Sequence, residues 1–283
     1  MPKNVMFKGK PMTLVGRAIK EGVQAPDFKV VDPDLKYVAL SDLKGKVKVV
    51  TFFLSLDTPV CDLQVKEFNK RASKLSSDVV ILGLSKDLPF AQKRFCLENE
   101  IKSIRVLSDY KDSSFGINYG LLVKELNLLA RGVLIIDKND ILRYFRVVDE
   151  LTTPPDYDDA LKNLESILKG PALAAKKEEL PSKCKSCEAG TPPMAKELVD
   201  KLMAQHRAWQ VIEDKKVVKE FKFKDFAEAK YFVDIVSIIA EAQGHHPTVV
   251  LSWGKVKITL TTHAAGGLTE NDFIMAKIID ELQ

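Results

Sequence analysis

Side chains that can do chemistry near neutral pH are unevenly distributed along this sequence of 283 residues. Cys61 and Cys96 lie in its first part, whereas all four histidines lie beyond residue 200. A nucleophilic cysteine reacts as a thiolate, and the pKa of a free cysteine is near 8.5. Because residues 1–205 contain no histidine, a cysteine–histidine pair of the protease kind is excluded there. Other groups must favour a reactive thiolate.

Cys61 lies where a predicted buried strand gives way to a predicted amphipathic helix, in VVTFFLSLDTPVCDLQVKEF. Pro59 is near the first position of that helix, where proline is tolerated. The sulfur of Cys61 is therefore expected at the positive end of the helix dipole, with the Thr58 hydroxyl on the same side. One exposed dipole stabilises a charge by only about 0.3–1 kcal/mol, so an added arginine is also needed.

At these residues the sequence resembles the thiol peroxidase branch of the peroxiredoxins. The resemblance is carried by SLDTPVC, FAQKRFC, LSDYKDSSFGINYG and LLARGVLIIDKND, and it covers about residues 5–168. It implies a thioredoxin-like fold in which Cys61 attacks hydrogen peroxide or alkyl hydroperoxides. It also implies that Thr58 and Arg131 activate the thiolate and the peroxide, that Cys96 resolves the Cys61 sulfenic acid as an intrachain disulfide, and that thioredoxin or a similar dithiol reduces this disulfide.

One position departs from the broader peroxiredoxin pattern, which has a proline four residues before the threonine. Leu54 occupies this position and retains an apolar wall without the rigid backbone of proline. Structural interpretations also stand beside the functional ones. Cys61 or Cys96 can be a buried thiol of the hydrophobic core, and Arg131 can be an ordinary surface arginine before a strand.

Three of the four histidines cluster near the C-terminus, in EAQGHHPTVVLSWGKVKITLTTHAAGGLTENDF. They are His245 and His246, which follow a predicted helix end at Gly244, and His263, which follows a predicted strand. Zinc binding and proton transfer by imidazole compete as explanations. Adjacent histidines point in divergent directions, unlike the i, i+4 pair of HExxH zinc enzymes, so the pattern favours proton transfer.

The spacing of these histidines resembles the pterin-4a-carbinolamine dehydratase family over about residues 184–283, strengthened by FKFKDFAEA and TTHAAGGLTENDF. The resemblance implies dehydration of a 4a-hydroxytetrahydropterin, with His245, His246 and His263 around the pterin. It assigns substrate binding to Glu241, Trp253 and Asp272. From the residues alone, Asp272 can orient an imidazole or simply cap a helix, and Trp253 can be a core aromatic. Since family members also serve as dimerisation partners, a non-catalytic oligomerisation or binding module is the alternative.

Cys184 and Cys187 form a CKSC sequence ahead of this segment. A closed zinc site within one chain lacks two further ligands, although a four-cysteine site shared across a dimer stays open. A similar CxxC occurs at this point in some bacterial members of the resembled family, which favours an inherited tail. A third hypothesis is a mobile tethered dithiol that exchanges with a Cys61–Cys96 disulfide.

The elements that must position these groups fall into two patterns. Before the linker, β-rich runs alternate with amphipathic helices and one hairpin around Asp140, which predicts an α/β thioredoxin-like domain with a mixed sheet flanked by helices. After it, helices and strands indicate a small α+β domain. The predicted bounds are residues 1–169 for the first domain, 170–183 for the linker and 184–283 for the second domain.

Composition limits the remaining function classes. A formal charge of +4 is spread along the chain, which disfavours nucleic acid as a ligand. No signal peptide and no apolar run of membrane-spanning length are found, so a cytoplasmic location without a membrane partner is expected. No metal and no tightly bound cofactor are expected, the pterin being a substrate. Both families imply a homo-oligomer. The alternative for the whole chain is a redox sensor in which oxidation of Cys61 alters what the second half binds.

Overall fold

The protein divides into two compact units, an N-terminal unit of residues 1–177 and a C-terminal unit of residues 178–283. The computed structural model describes residues 4–72, 75–170, 183–186, 191–206 and 208–282. The division falls inside the predicted linker 170–183, most of which lies outside the described residues.

A mixed seven-stranded sheet forms the centre of the N-terminal unit. Its spatial order is β11 (Leu142–Val147), β10 (Gly132–Ile136), β5 (Val47–Phe52), β6 (Val79–Ser85), β7 (Arg105–Ser108), β3 (Lys29–Val31) and β4 (Tyr37–Ala39). Strands β5, β6 and β7 are parallel, whereas β10 runs antiparallel to both β5 and β11. The predicted mixed sheet and the hairpin that joins β10 to β11 are therefore confirmed.

Helices cover this sheet because its central strands are predominantly apolar. Every residue of β5 is buried, which is typical of a strand covered on both faces. The helices of the unit are α1 (Pro59–Ala72), α2 (Pro89–Glu98), α3 (Ser114–Asn118) and α4 (Tyr157–Lys169). The helix predicted from Val60 to Leu75 thus begins at Pro59, and its last described residue is Ala72.

A second, antiparallel sheet of the N-terminal unit was not predicted from the sequence. Its order is β1 (Asn4–Phe7), β2 (Lys10–Val15), β8 (Leu122–Val123) and β9 (Leu128–Leu129). Strands β8 and β9 have two residues each, too few for a visible alternation of apolar and polar side chains. β8 pairs with β2, more than 100 residues earlier, and local sequence carries no signal of such a pairing.

The C-terminal unit is the predicted α+β domain. Its antiparallel sheet has the order β12 (Gln210–Ile212), β13 (Lys216–Lys222), β15 (Lys255–Leu260) and β14 (Thr248–Ser252). Its helices are α5 (Lys196–Met203), α6 (Phe226–Gln243) and α7 (Glu270–Asp280). In β15 the buried residues Val256, Ile258 and Leu260 alternate with more exposed ones, so one face of the sheet packs on the core.

Helix α6 has the bounds that its sequence predicts because both of its ends are capped. The Asp225 side chain accepts a hydrogen bond from the backbone N–H of Glu228, and Gly244 ends the helix at a φ of +65°. His245 and His246 follow directly. Neither α6 nor any other helix among the described residues is long and apolar enough to cross a membrane.

Candidate active sites

Cys61 is the third residue of α1 and its side chain is fully buried. The preceding loop turns sharply, since the backbone N–H groups of Cys61 and Asp62 both donate to the Thr58 carbonyl, each at 3.1 Å. This turn leads the chain from the end of β5 into the first turn of α1. The sulfur therefore lies at the helix N-terminus, as the sequence predicts.

Two side chains donate hydrogen bonds to the Cys61 sulfur. Nη2 of Arg131 is 3.1 Å from Sγ, and Oγ1 of Thr58 is 2.8 Å from it. Both side chains are placed to hydrogen-bond the sulfur, and a hydrogen bond from the guanidinium is charge-assisted because this group carries a full positive charge. The structure thus brings the predicted residues Thr58 and Arg131 to the sulfur of Cys61.

Arg131 is itself buried and held rigidly in place. Its Nε donates to the Leu151 carbonyl at 2.8 Å, and its Nη1 donates to Oε1 of Gln64 at 2.7 Å. Gln64 is fixed in turn, because its Nε2 donates to the Thr51 hydroxyl at 2.6 Å. The guanidinium fork therefore has one N–H group directed at the sulfur, and the interpretation of Arg131 as a surface arginine is wrong.

Gln64 and the Leu151 carbonyl were missed by sequence reasoning. Gln64 is three residues beyond Cys61, a spacing that places two side chains on the same helix face, so a signal was present. The Leu151 carbonyl lies in a loop after β11 and has no signal in local sequence. Leu54 is 3% exposed, and its role as an apolar wall of the site stays a prediction.

Cys96 lies in α2 and is partly buried. Burial raises the pKa of its thiol to about 11. The thiols of Cys61 and Cys96 are free rather than joined in a disulfide. The pairing of these two cysteines stays a prediction.

In the C-terminal unit, a buried pair joins His245 to Asp272. The two side chains meet at 2.8 Å between Nε2 and Oδ1, and Asp272 is fully buried at the start of α7. The other carboxylate oxygen of Asp272 accepts bonds from the Thr262 hydroxyl and the Thr269 backbone N–H, both at 2.8 Å. Asp272 therefore caps α7 and contacts His245 at the same time, while its predicted binding of a substrate stays a prediction.

His246 and His263 are exposed. His246 Nε2 lies 3.0 Å from Oε1 of Glu241 in the last turn of α6, and both side chains face solvent. His263 begins a 3-10 turn directly after Thr262, whose hydroxyl is bonded to Asp272. The chain thus carries His263 next to the buried cluster, although no side-chain bond joins it to the other two histidines among the contacts described.

Trp253 does not lie with the histidines. It occupies the turn between β14 and β15, where Ser252 pairs with Lys255, and it is 72% exposed. His246 precedes the other end of β14, and five strand residues span about 17 Å. The expectation that Trp253 lines a pocket with the histidines is therefore not met within one chain. The alternative that Trp253 is a core aromatic is not met either, because its side chain is exposed.

The segment Lys183–Ser186 is hydrogen-bonded to the C-terminal unit. The Cys184 backbone N–H donates to the Gln243 side chain at 2.9 Å, and the Lys185 backbone N–H donates to that of Asn271 at 2.9 Å. Cys184 is 9% exposed, whereas Cys187 lies outside the described residues. Within the part of the chain that is described, no group of three or more His, Cys, Asp or Glu side chains could hold a metal ion.

Two family models match different parts of the chain. The Redoxin model matches residues 20–161, and the model described as pterin 4 alpha carbinolamine dehydratase matches residues 192–282. The first match contains Thr58, Cys61, Cys96 and Arg131. The second contains all four histidines and Asp272.

Individual relatives cover the N-terminal unit. Proteins named thiol peroxidase from Halalkalibacterium halodurans and Bacillus subtilis are 45% and 44% identical to the chain over 165 residues, or 58% of this chain and 99% and 98% of those proteins. The crystal structure of a peroxiredoxin-like protein from Aquifex aeolicus is 39% identical, with a TM-score of 0.55, and the match covers 58% of this chain and 98% of that one.

Proposed function

The chain belongs to the thiol peroxidases of the redoxin family and carries a C-terminal pterin dehydratase-like domain, and we propose from this premise that Cys61 and Cys96 carry its peroxidase cycle. The observation that supports the role of Cys61 is the convergence of Arg131 and Thr58 on its buried sulfur. A structural thiol of the core requires no such donors. Two hydrogen bonds aimed at one sulfur favour a nucleophile.

In the first step, the Cys61 thiolate attacks the terminal oxygen of a hydroperoxide. An S–O bond forms, the O–O bond breaks, and the departing alkoxide or hydroxide takes a proton to leave as alcohol or water. Cys61 is oxidised to a sulfenic acid and the peroxide is reduced. Arg131 stabilises the negative charge that develops on the leaving oxygen, and its fixed position requires little reorganisation.

In the second step, the Cys96 thiol attacks the sulfenic acid of Cys61. An S–S bond forms, and the sulfenic oxygen leaves as water with the thiol proton. An external dithiol of the thioredoxin type then reduces the disulfide to two thiols and becomes a disulfide itself. Electrons therefore pass from the external dithiol through the Cys96–Cys61 pair to the peroxide.

Peptide mapping under nonreducing conditions tests this cycle. After one equivalent of hydrogen peroxide, mass spectrometry is expected to find a peptide that joins Cys61 to Cys96. Cys96→Ser is expected to leave Cys61 as a sulfenic acid that dimedone traps. Cys61→Ser is expected to consume no peroxide, whereas the matched variant Cys184→Ser cycles normally. A Cys61 disulfide to any other cysteine contradicts the assignment of Cys96.

For the C-terminal unit we propose dehydration of a 4a-hydroxytetrahydropterin, supported by the buried His245–Asp272 pair. The reaction needs an acid for the departing hydroxyl and a base for a ring nitrogen proton, and imidazoles suit both tasks. A carboxylate accepts the proton of Nε2, which leaves Nδ1 of His245 as the atom that can take a proton. His246 and His263 are exposed and therefore accessible to a substrate.

Titration with a pterin distinguishes this proposal from an oligomerisation or binding module. We expect saturable pterin binding and conversion of the carbinolamine, both lost in His245→Ala. His206→Asn, which changes the histidine outside the predicted site, is expected to retain both. Unchanged assembly without binding or conversion in the wild-type protein would support the non-catalytic alternative instead.

A further inference from the structure

The Asp87 carboxylate holds the loop that leads to Cys61. Its Oδ1 accepts a hydrogen bond from the Ser55 hydroxyl at 2.6 Å, and its Oδ2 accepts one from the Leu56 backbone N–H at 2.8 Å. Asp87 follows β6 and Ser55 follows β5, and these strands are parallel neighbours, so their carboxyl ends lie side by side. One carboxylate therefore ties together the two strand ends.

The Ser55 backbone links Asp87 to the residues around Cys61. Its carbonyl accepts hydrogen bonds from both the backbone N–H and the hydroxyl of Thr58, each at 3.1 Å. The same hydroxyl lies 2.8 Å from the Cys61 sulfur. Asp87 is thus linked through Ser55, by two successive hydrogen bonds, to Thr58, whose hydroxyl contacts the sulfur.

Asp87 also holds the start of α2, the helix that carries Cys96. Its Oδ2 accepts a bond from the Ser85 hydroxyl at 2.8 Å, and the Ser85 oxygen accepts one from Nε2 of Gln92 in α2 at 3.0 Å. Ser85 and Gln92 are fully buried. Since Asp87 is two residues before Pro89, where α2 begins, both the backbone and the side chain of this segment fix the helix start.

We infer that Asp87 is a positioning residue that couples the Cys61 loop to the Cys96 helix and so sets the rate of disulfide formation. The sulfenic sulfur and the attacking thiol must meet within the length of an S–S bond, about 2.05 Å. The loop that leads to Cys61 and the start of the helix that carries Cys96 are both held by the Asp87 carboxylate. This inference rests on the proposed Cys61–Cys96 cycle. The reaction is the one described above: the S–S bond forms, and the sulfenic oxygen leaves as water.

The test measures two steps separately in the full chain. Rapid mixing with one equivalent of hydrogen peroxide and acid quenching gives the rate of peroxide loss, and nonreducing mass spectrometry gives the rate of disulfide formation. In Asp87→Ala we expect disulfide formation to slow on the order of tenfold to a hundredfold, because the reacting groups are misplaced. Peroxide loss is expected to fall less, since the bonds of Arg131 to the sulfur, to Gln64 and to Leu151 do not involve Asp87.

Asp87→Asn and Asp137→Ala provide the controls. The asparagine amide oxygen can still accept the Leu56 N–H, so Asp87→Asn is expected to recover much of the disulfide rate. Asp137→Ala removes a buried carboxylate that accepts two backbone N–H groups in the turn after β10, and it is expected to leave the ratio of the two rates unchanged. Equal slowing of both steps in Asp87→Ala would mean a merely structural role and overturn the inference.

Each remaining outcome also decides the question. If Asp87→Ala does not fold, Ser55→Ala removes one of the same hydrogen bonds, and an unchanged disulfide rate in that variant overturns the coupling. A wild-type rate in a folded Asp87→Ala does the same. If the wild-type protein forms no Cys61–Cys96 disulfide, the proposed cycle fails first, so the two failures are distinguishable.

Discussion

At the scale of single residues, the Thr58 hydroxyl has one proton and two acceptors. The Ser55 carbonyl lies 3.1 Å from Oγ1 and the Cys61 sulfur lies 2.8 Å from it. When the sulfur is ionised, the hydroxyl can donate to it. When the sulfur is a thiol, the S–H group can donate to Oγ1 while the hydroxyl turns to Ser55. Thr58 thus serves both protonation states without moving its heavy atoms.

Replacing this hydroxyl tests its contribution. We expect Thr58→Val, which keeps the shape of the side chain, to lower kcat/KM for hydrogen peroxide on the order of tenfold to a hundredfold. Thr58→Ser keeps the hydroxyl and is expected to remain close to the wild-type value. Steady-state peroxidase assays with excess dithiol measure both. Equal activity of the valine and serine variants would show that the hydroxyl does not act on the sulfur.

The buried guanidinium of Arg131 is a second test at this scale. Lysine is a point charge without the planar fork, so Arg131→Lys cannot bond Leu151, Gln64 and the sulfur together. We expect kcat/KM to fall on the order of a hundredfold. Arg105→Lys, at an exposed position of β7, is the matched control and is expected to be neutral. A neutral Arg131→Lys would contradict the proposed stabilisation of the leaving oxygen.

The raised pKa of Cys96 predicts a pH dependence of its reactivity. Burial favours the neutral thiol, so at pH 8.5 less than about 1% of Cys96 is thiolate when its pKa is about 11, against about half of a free cysteine. We expect slow alkylation of reduced Cys96 that accelerates as the pH rises towards 11. Mass spectrometry of iodoacetamide-treated protein measures this for each cysteine. In urea the midpoint pH of Cys96 alkylation is expected to return to about 8.5. The same midpoint pH in the folded protein would contradict the effect of burial.

At the scale of elements, the N-terminus of α7 shows how one carboxylate joins structure to a candidate site. Oδ2 of Asp272 accepts the backbone N–H of Thr269, which is a helix cap, while Oδ1 meets His245. Thr262, in the loop after β15, donates to the same Oδ2. The end of α6, the start of α7 and the loop after β15 are therefore fixed by one buried group.

Asp272→Asn separates the two duties of this carboxylate. The amide can present only one oxygen to its donors, so we expect the free energy of unfolding of the C-terminal unit to fall by about 1–3 kcal/mol. Pterin conversion is expected to fall further than this loss of stability explains, because His245 loses its acceptor. Urea denaturation and a conversion assay measure these effects. Asp234→Asn, which changes an exposed carboxylate of α6, is the control, and a stability equal to that of this control would contradict a structural role for the cap.

At the scale of the whole molecule, the described part of the CKSC sequence, residues 184–186, is hydrogen-bonded to the rest of the C-terminal unit. Cys184 and Lys185 donate backbone hydrogen bonds to side chains at the end of α6 and the start of α7. The hypothesis of a mobile dithiol requires this segment to leave those partners. The two hydrogen bonds oppose such a release, and they favour the interpretation of the segment as part of the C-terminal fold.

We therefore expect Cys184→Ser/Cys187→Ser to leave peroxidase turnover unchanged when thioredoxin is limiting. The physical reason is that Cys184 is buried and that its backbone bonds would have to break before the thiol could exchange. Turnover is measured by thioredoxin-coupled peroxide consumption, with Cys96→Ser as the positive control for loss. Slower turnover together with a disulfide between Cys61 and Cys184 would revive the tethered dithiol.

Local sequence determined the features of the fold that depend on interactions between residues close in the chain. The apolar run of β5, the proline at the start of α1 and the caps of α6 act within a few residues, so the alternation of strands and helices and the helix-terminal place of Cys61 were predictable. The family resemblance added Arg131, and it added Cys96, whose pairing stays a prediction.

Only the tertiary structure decided how distant residues meet. Gln64 and Leu151 fix Arg131, Asp87 joins two strand ends, and Asp272 joins His245 to Thr262, all across separations that leave no periodic signal. The same cause misplaced Trp253, which is close to the histidines in sequence but lies at the far end of a hairpin. A strand carries the chain about 3.3 Å further with each residue, so proximity in sequence is not proximity in space until the register of the sheet is known.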